Sequence, residues 1–117
     1  MDERDSETRL TDILKAASDP TRRRILTLLV QEGPMRVTDL AGHFEMSLNA
    51  VSKHIKVLER SRLVARARAW RDHVISAELD ELKEIDRWFG ALRSVWDTRL
   101  EALDKIINEE TADDDAH

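Results

Sequence analysis

Cysteine does not occur anywhere in this 117-residue chain. Its absence excludes disulfides, thiol redox sensing and thiolate metal ligation together, and it fits a cytoplasmic protein. Punctuation is scarce: the turn-formers are Gly33, Gly42, Gly90, Pro20 and Pro34. So few interruptions among many Leu, Ala, Glu and Arg favour a mostly helical fold. No stretch approaches the roughly 18 apolar residues that a membrane span needs. The opening MDERDSETRL is charged and lacks the apolar run of a signal peptide. Tyrosine is missing too, as are a glycine-rich phosphate loop and any Ser-His-acid grouping of recognisable spacing. The chain is therefore not expected to be an enzyme, nor to carry a cofactor.

What is abundant is charge, unevenly placed. The net charge is -5, yet the segment from Thr21 to Arg71 holds 11 basic residues against 4 acidic ones. A basic middle between acidic ends is an electrostatic footprint for a polyanion, although helices also carry solvated charge without any partner.

At this length one domain is expected, with a core region at 8–77, a last helix at 79–107 and an acidic tail at 108–117. Residues 1–7 and the tail are expected to be disordered or frayed. A first helix reads from Thr8 to Ala17, with Leu10, Ile13, Leu14 and Ala17 on one face. Asp19-Pro20 supplies an N-cap and a first helical residue for a second helix through Val30, which buries Ile25, Leu28 and Leu29. Met35 to Val37 form a short extended piece. Thr38 caps a third helix over Asp39 to Phe44, and Ser47 opens a fourth that ends near Ser61. Two helices across so tight a turn make a helix-turn-helix. Strands over Leu63–Arg68 and His73–Ala77, around the tip Ala69-Trp70-Arg71-Asp72, form a small hairpin. From Leu79 to Ile107, apolar residues step by three and four, which suits packing against another helix.

The fourth helix, in the stretch "MSLNAVSKHIKVLER", has two faces. A helical wheel groups Leu48, Val51, Ile55 and Leu58 toward the core and Asn49, Ser52, Lys53 and Lys56 outward. Asn can pair with adenine, Lys can donate to guanine, and Ser can bond a base or a phosphate. Apolar behind and hydrogen-bonding in front is the composition a major-groove helix needs, although any exposed helix face is polar.

"SDPTRRRILTLL" followed by "VTDLAGHFEMSLNAVSKHIKVLERSRLV" resembles the winged helix-turn-helix repressors of the ArsR/SmtB class. The resemblance covers Ile13 to Ala77, and Asp-Pro-x-Arg-Arg with Ala-Val-Ser-Lys-His carries it. It implies a mainly α fold with a small β-hairpin wing (α+β) and a long C-terminal dimerisation helix. It further implies a homodimeric regulator that binds double-stranded DNA, most simply a repressor on a pseudo-palindromic operator read by helix 47–60. Ser47, Asn49, Ser52, Lys53 and His54 match the family's DNA-contacting positions, as does Leu48, which the wheel turns inward. Lys56 and the wing residues Arg66, Arg68 and Arg71 are expected on phosphates or in the minor groove. Of Arg22, Arg23 and Arg24, one or two can reach phosphate, and the others are expected in surface ion pairs with the acidic ends. The dimer seam is expected from Leu10, Ile13 and Leu14 of the first helix with Ile85, Trp88, Phe89, Leu92, Trp96 and Leu103 of the last.

Several positions depart from the family pattern. Glu45, Arg62 and Trp70 stand where glycine is common, so turn and wing are expected to be shaped differently. The family's thiolate metal site falls at Met35–Asp39, where there is no cysteine. Its other site needs histidines on the last helix, and Leu79–Ile107 has none. His43, His54, His73 and His117 are scattered, and no metal is expected. Two rival functions remain: a regulator gated by an apolar small molecule beside Trp88 and Trp96, and a protein-interaction module.

Overall fold

The computed structural model describes residues 3–115, with side chains from Asp5 to Glu110. The disorder expected at residues 1–2 and the fraying expected at 116–117 lie outside the described residues. Contacts gather the chain into two compact units, Met1–Ile85 and Asp86–His117.

Helix α1 spans Glu3–Ala17 and α2 spans Pro20–Glu32. The first helix starts well before Thr8, and Asp5 and Glu7 near its start suit the positive end of the helix dipole. Ile13 and Ala16 are its buried pair, whereas Leu14 is exposed and Leu10 and Ala17 are half-buried. Asp19 caps α2 as expected: its carboxylate accepts the Arg22 N–H at 3.0 Å, and Pro20 occupies the first turn. Ile25 and Leu29 are buried, and Leu28 is half-buried. Gly33 ends the helix at φ 84°, where its N–H reaches the Leu29 carbonyl at 2.9 Å.

Strand β1, Met35–Arg36, passes directly into α3, Val37–Ala41. The expected start, with Thr38 as cap and Asp39 as the first helical residue, is thus two residues late, because strand pairing of Arg36 with Val74 hands the chain straight to the helix. Arg36 stands at the cap position without a side-chain cap bond. The helix also closes earlier than Phe44. Tight backbone bonds from His43 to Leu40 and from Phe44 to Ala41 carry the chain into the turn, with Leu40 buried and Phe44 half-buried.

Helix α4 spans Leu48–Arg60, capped by Ser47, whose Oγ accepts the Ala50 N–H at 3.1 Å. Its end is a Schellman motif: Arg62 N–H bonds the Glu59 carbonyl at 3.0 Å and Leu63 N–H bonds the Leu58 carbonyl at 2.9 Å. Leu58 and Leu63, the apolar pair that accompanies such a motif, are both fully buried.

Strands β2, Val64–Ala69, and β3, Asp72–Ala77, complete an antiparallel sheet of order β1-β3-β2. Ile75, on the central strand, faces both Met35 and Arg66. The core of this unit gathers Ile13, Ile25, Leu29, Leu40, Val51 and Ile55 with Leu58, Leu63 and Ile75. At two of the three positions that lack the glycine common in the family, the backbone nonetheless takes the left-handed conformation. Arg62 and Trp70 both take φ of 64°, the conformation glycine would have supplied, at a cost of about 1–2 kcal/mol each. Glu45 does not take a positive φ, so the helix-turn-helix turn needs no glycine there.

Helix α5 runs Leu82–Asp115, starting after the expected Leu79 and continuing through most of the expected tail. A turn precedes it, with Leu82 N–H on the Leu79 carbonyl at 3.0 Å. Leu82 and Ile85 pack half-buried on the core. Within the second unit, Trp88, Phe89, Leu92, Trp96, Leu100 and Leu103 are all exposed along one broad arc of the helix. The Trp88 and Phe89 ring centroids lie 4.7 Å apart. Among the described residues no helix is long and apolar enough to cross a membrane.

Candidate nucleic-acid interface

Val51, Ile55 and Leu58 anchor α4 to the core, and this fixes which residues face out. Asn49, Lys53 and Lys56 are exposed, Ser52 is half-buried and Ser47 is exposed at the cap. Leu48 departs from the wheel: it is 48% exposed. It shares its angular position with Ile55, but it sits two turns nearer the helix start, beyond the reach of the core.

Leu48 and Ser52 line an open cleft of about 260 Å³ with Arg36, Thr38, Arg66, Arg71, Asp72 and His73. The start of α3, the first turns of α4 and the tip-side half of the hairpin thus share one surface. Two ion pairs hold the hairpin there. Arg36 Nε lies 3.5 Å from the Asp72 carboxylate, and Arg66 donates to Glu59 Oε1 through Nε at 3.0 Å and Nη2 at 2.6 Å. Arg66 is therefore committed to α4, while Arg68 and Arg71 are exposed.

His54 turns away from the outward arc. Its Nδ1 lies 3.3 Å from Arg22 Nη1 and 3.8 Å from the Asp19 carboxylate. Nδ1 thus lies between a donor, the Arg22 guanidinium, and an acceptor, the Asp19 carboxylate. The same Arg22 donates through Nε to the Ala16 carbonyl at 2.7 Å and through Nη2 to the Lys15 carbonyl at 3.0 Å. One guanidinium thereby joins the end of α1, the start of α2 and the middle of α4. Asp19 is held below the usual carboxylate range chiefly by the Arg22 N–H it accepts; burial opposes this, and the nearby cationic groups and the Thr21 N–H add to the lowering.

The expectation of surface ion pairs for the arginine run is corrected. Arg23 donates to the Ala17 carbonyl at 2.7 Å, so with Arg22 it satisfies the carbonyl end of α1, and Arg24 lies 5.0 Å over the Phe44 ring.

The expected dimer seam also separates into parts. Ile13 is 1% exposed and belongs to the protomer core, so it has no surface to offer a second copy. Leu10 and Ile85 are half-buried, whereas Leu14, Trp88, Phe89, Leu92, Trp96 and Leu103 are exposed. Among the described residues, no three His, Cys, Asp or Glu side chains come together closely enough to hold a metal ion.

Sequence reasoning missed Arg36, Thr38 and His73 at the cleft; it matched Leu48 to a DNA-contacting position but turned it inward, and it placed Trp70, which is 90% exposed, at the hairpin tip.

The profile of a helix-turn-helix domain matches residues 17–67. The transcriptional repressor SdpR of Bacillus subtilis is 33% identical over 79 residues, 68% of this chain and 87% of that protein. The arsenical resistance operon repressor of Staphylococcus xylosus is 35% identical over 67% of this chain and 74% of its own length. Among solved structures, an ArsR-like transcriptional regulator from Rhodococcus sp. RHA1 superposes with a TM-score of 0.72 at 30% identity, covering 86% of this chain and 93% of that one. The helix-turn-helix, the hairpin beside it and the extent of these likenesses agree, and the chain belongs to the ArsR family of DNA-binding winged helix-turn-helix transcriptional regulators.

Proposed function

We propose that the chain acts as a homodimeric repressor of transcription in the cytoplasm, bound to a pseudo-palindromic operator. The observation that carries this reading is the shared surface of α4 and the hairpin. Ser52 and Arg71 line one cleft there, and Asn49, Lys53, Lys56 and Arg68 are exposed on the same two elements. Asn49, Ser52 and Lys53 read base edges in the major groove, with Ser47 at the cap beside them. Lys56, Arg68 and Arg71 hold phosphates. Arg66 and His54 serve this surface indirectly, through Glu59 and through Arg22.

The DNA-binding core is the region 8–77, and the exposed apolar arc of α5 pairs with a second copy. A two-fold axis between the copies sets two α4 helices about one DNA turn, roughly 34–36 Å, apart. Repression follows where such an operator overlaps a promoter.

Fluorescence anisotropy tests the reading with DNA upstream of the protein's own gene, against scrambled DNA, over a salt series. Preference for the upstream DNA with a steep salt slope is expected. Equal binding to both at every salt concentration counts against specific recognition.

A further inference from the structure

A residue at the tip of the hairpin has no role in the reading above. Trp70 is 90% exposed and takes φ of 64° in a two-residue loop that closes the Ala69–Asp72 pair. Such loops favour glycine or asparagine at positive φ, and a bulky side chain there is strained. A lone exposed apolar residue is ordinary on a protein surface. Here, however, the largest side chain occupies the position that least suits it, and both neighbours on its rim are exposed cations, Arg68 and Arg71.

The strand leading to it is slender. In β2, Ala65, Ala67 and Ala69 alternate with Val64, Arg66 and Arg68, so on one face this strand adds only methyl groups beside Ser76, Val74 and Asp72 of β3. The blade is also held in place. Arg66 ties it to Glu59 of α4, and Asp72, next to the tip, lies 3.5 Å from Arg36. Arg71 and Asp72 line the same cleft as Leu48 and Ser52 of α4. The indole therefore stands on a braced, narrow, cationic projection beside the helix that reads DNA.

We infer that Trp70 enters the minor groove next to the half-site held by α4, and packs its indole against sugars and base edges while Arg68 and Arg71 hold the flanking phosphates. This rests on the DNA-binding surface proposed above. A minor groove about 6 Å wide accepts a thin blade, and apolar wedges there partly unstack and bend the duplex. The indole needs a groove that opens. Trp70 thereby gives the protein a preference for flanks containing a flexible pyrimidine–purine step over a stiff, narrow A-tract.

The test compares Trp70→Gly and Trp70→Phe with the wild type on operators whose flanks carry either a TA step or an A-tract. Glycine suits the left-handed backbone, so Trp70→Gly keeps the hairpin, and its urea midpoint should equal or exceed that of the wild type. Its affinity for the TA-flanked operator should fall about tenfold, and the preference between flanks should vanish. Trp70→Phe should retain most of both. Addition of DNA should quench wild-type tryptophan fluorescence more than that of Trp70→Phe, which still carries Trp88 and Trp96.

Lys53→Ala serves as the control. If it weakens binding while Trp70→Gly binds both flanks like the wild type, the inference is overturned. If Trp70→Gly instead alters only self-association in sedimentation, the tip is a protein contact and the inference is again overturned. If Lys53→Ala and Arg68→Ala also leave binding unchanged, the DNA face itself is misplaced and this inference falls with it.

Discussion

Glu59 on α4 and Arg66 on β2 are joined by two hydrogen bonds to a single carboxylate oxygen, at 2.6 and 3.0 Å. The pair spans the junction between the helix proposed to read bases and the hairpin beside it. Both side chains keep about a quarter of their surface exposed, so the pair contributes modest energy and chiefly fixes orientation. Glu59→Gln should lower stability by about 0.5–1 kcal/mol in urea denaturation. Removing a negative charge strengthens non-specific DNA binding, so the informative readout is the ratio of specific to non-specific affinity. That ratio should fall. An unchanged ratio would show that hairpin orientation is independent of Glu59.

Lys53 and Arg68 should behave differently on DNA, because one is assigned to a base and the other to a phosphate. Lys53→Ala should cost about 1–3 kcal/mol on the operator and little on scrambled DNA. Arg68→Ala should weaken both alike and reduce the salt slope by about one. Anisotropy titrations over a salt series separate the two outcomes, and a reversal would exchange the assignments.

The apolar arc of α5 should be the seat of self-association. Trp96 is 63% exposed and Leu92 is 51% exposed. Replacing both with Glu places charge where the seam must be dry, so sedimentation should give monomers at concentrations where the wild type is dimeric. Helical content should persist in the circular dichroism of the variant. A dimer that survives would place the interface elsewhere.

Asp19 should make stability depend on acid. The Arg22 N–H holds its folded-state carboxyl below the usual carboxylate range. The stability this confers is complete above the ordinary value near 4 and is lost as pH falls through the depressed folded value. Asparagine caps helices about as well and does not titrate. Asp19→Asn should therefore show a shallower loss of stability below about pH 4 than the wild type, measured by urea denaturation at each pH. Parallel curves would mean that other carboxylates dominate acid unfolding.

Arg62 should be improvable. It occupies the left-handed position of the Schellman motif at φ 64°, where glycine is the usual residue. Arg62→Gly should raise stability by up to about 1 kcal/mol, with glycine's extra freedom in the unfolded chain offsetting part of the relief. A loss of stability on this substitution would show that the arginine side chain supports the helix end.

Local signals carried much of the fold. Asp19-Pro20 and Ser47 cap helices as their chemistry requires, and the Val51, Ile55 and Leu58 seam is buried. The basic middle, the outward Asn49, Lys53 and Lys56, and the hairpin arginines were equally legible, because each follows from residue type and a short-range period. Tertiary structure alone decided the rest. Periodicity gives an angle around a helix but not the length over which the core runs along it, so Leu48 is exposed where Ile55 is buried. The same limit misassigned Ile13, whose face meets its own protomer. Partners distant in sequence decided the fate of polar groups. Arg22 and His54 are 32 residues apart and meet at 3.3 Å, and that contact gives His54 a partner within its own chain. Local pattern sets which groups an element presents, whereas a folded chain determines which of them are already satisfied and which are left for a ligand.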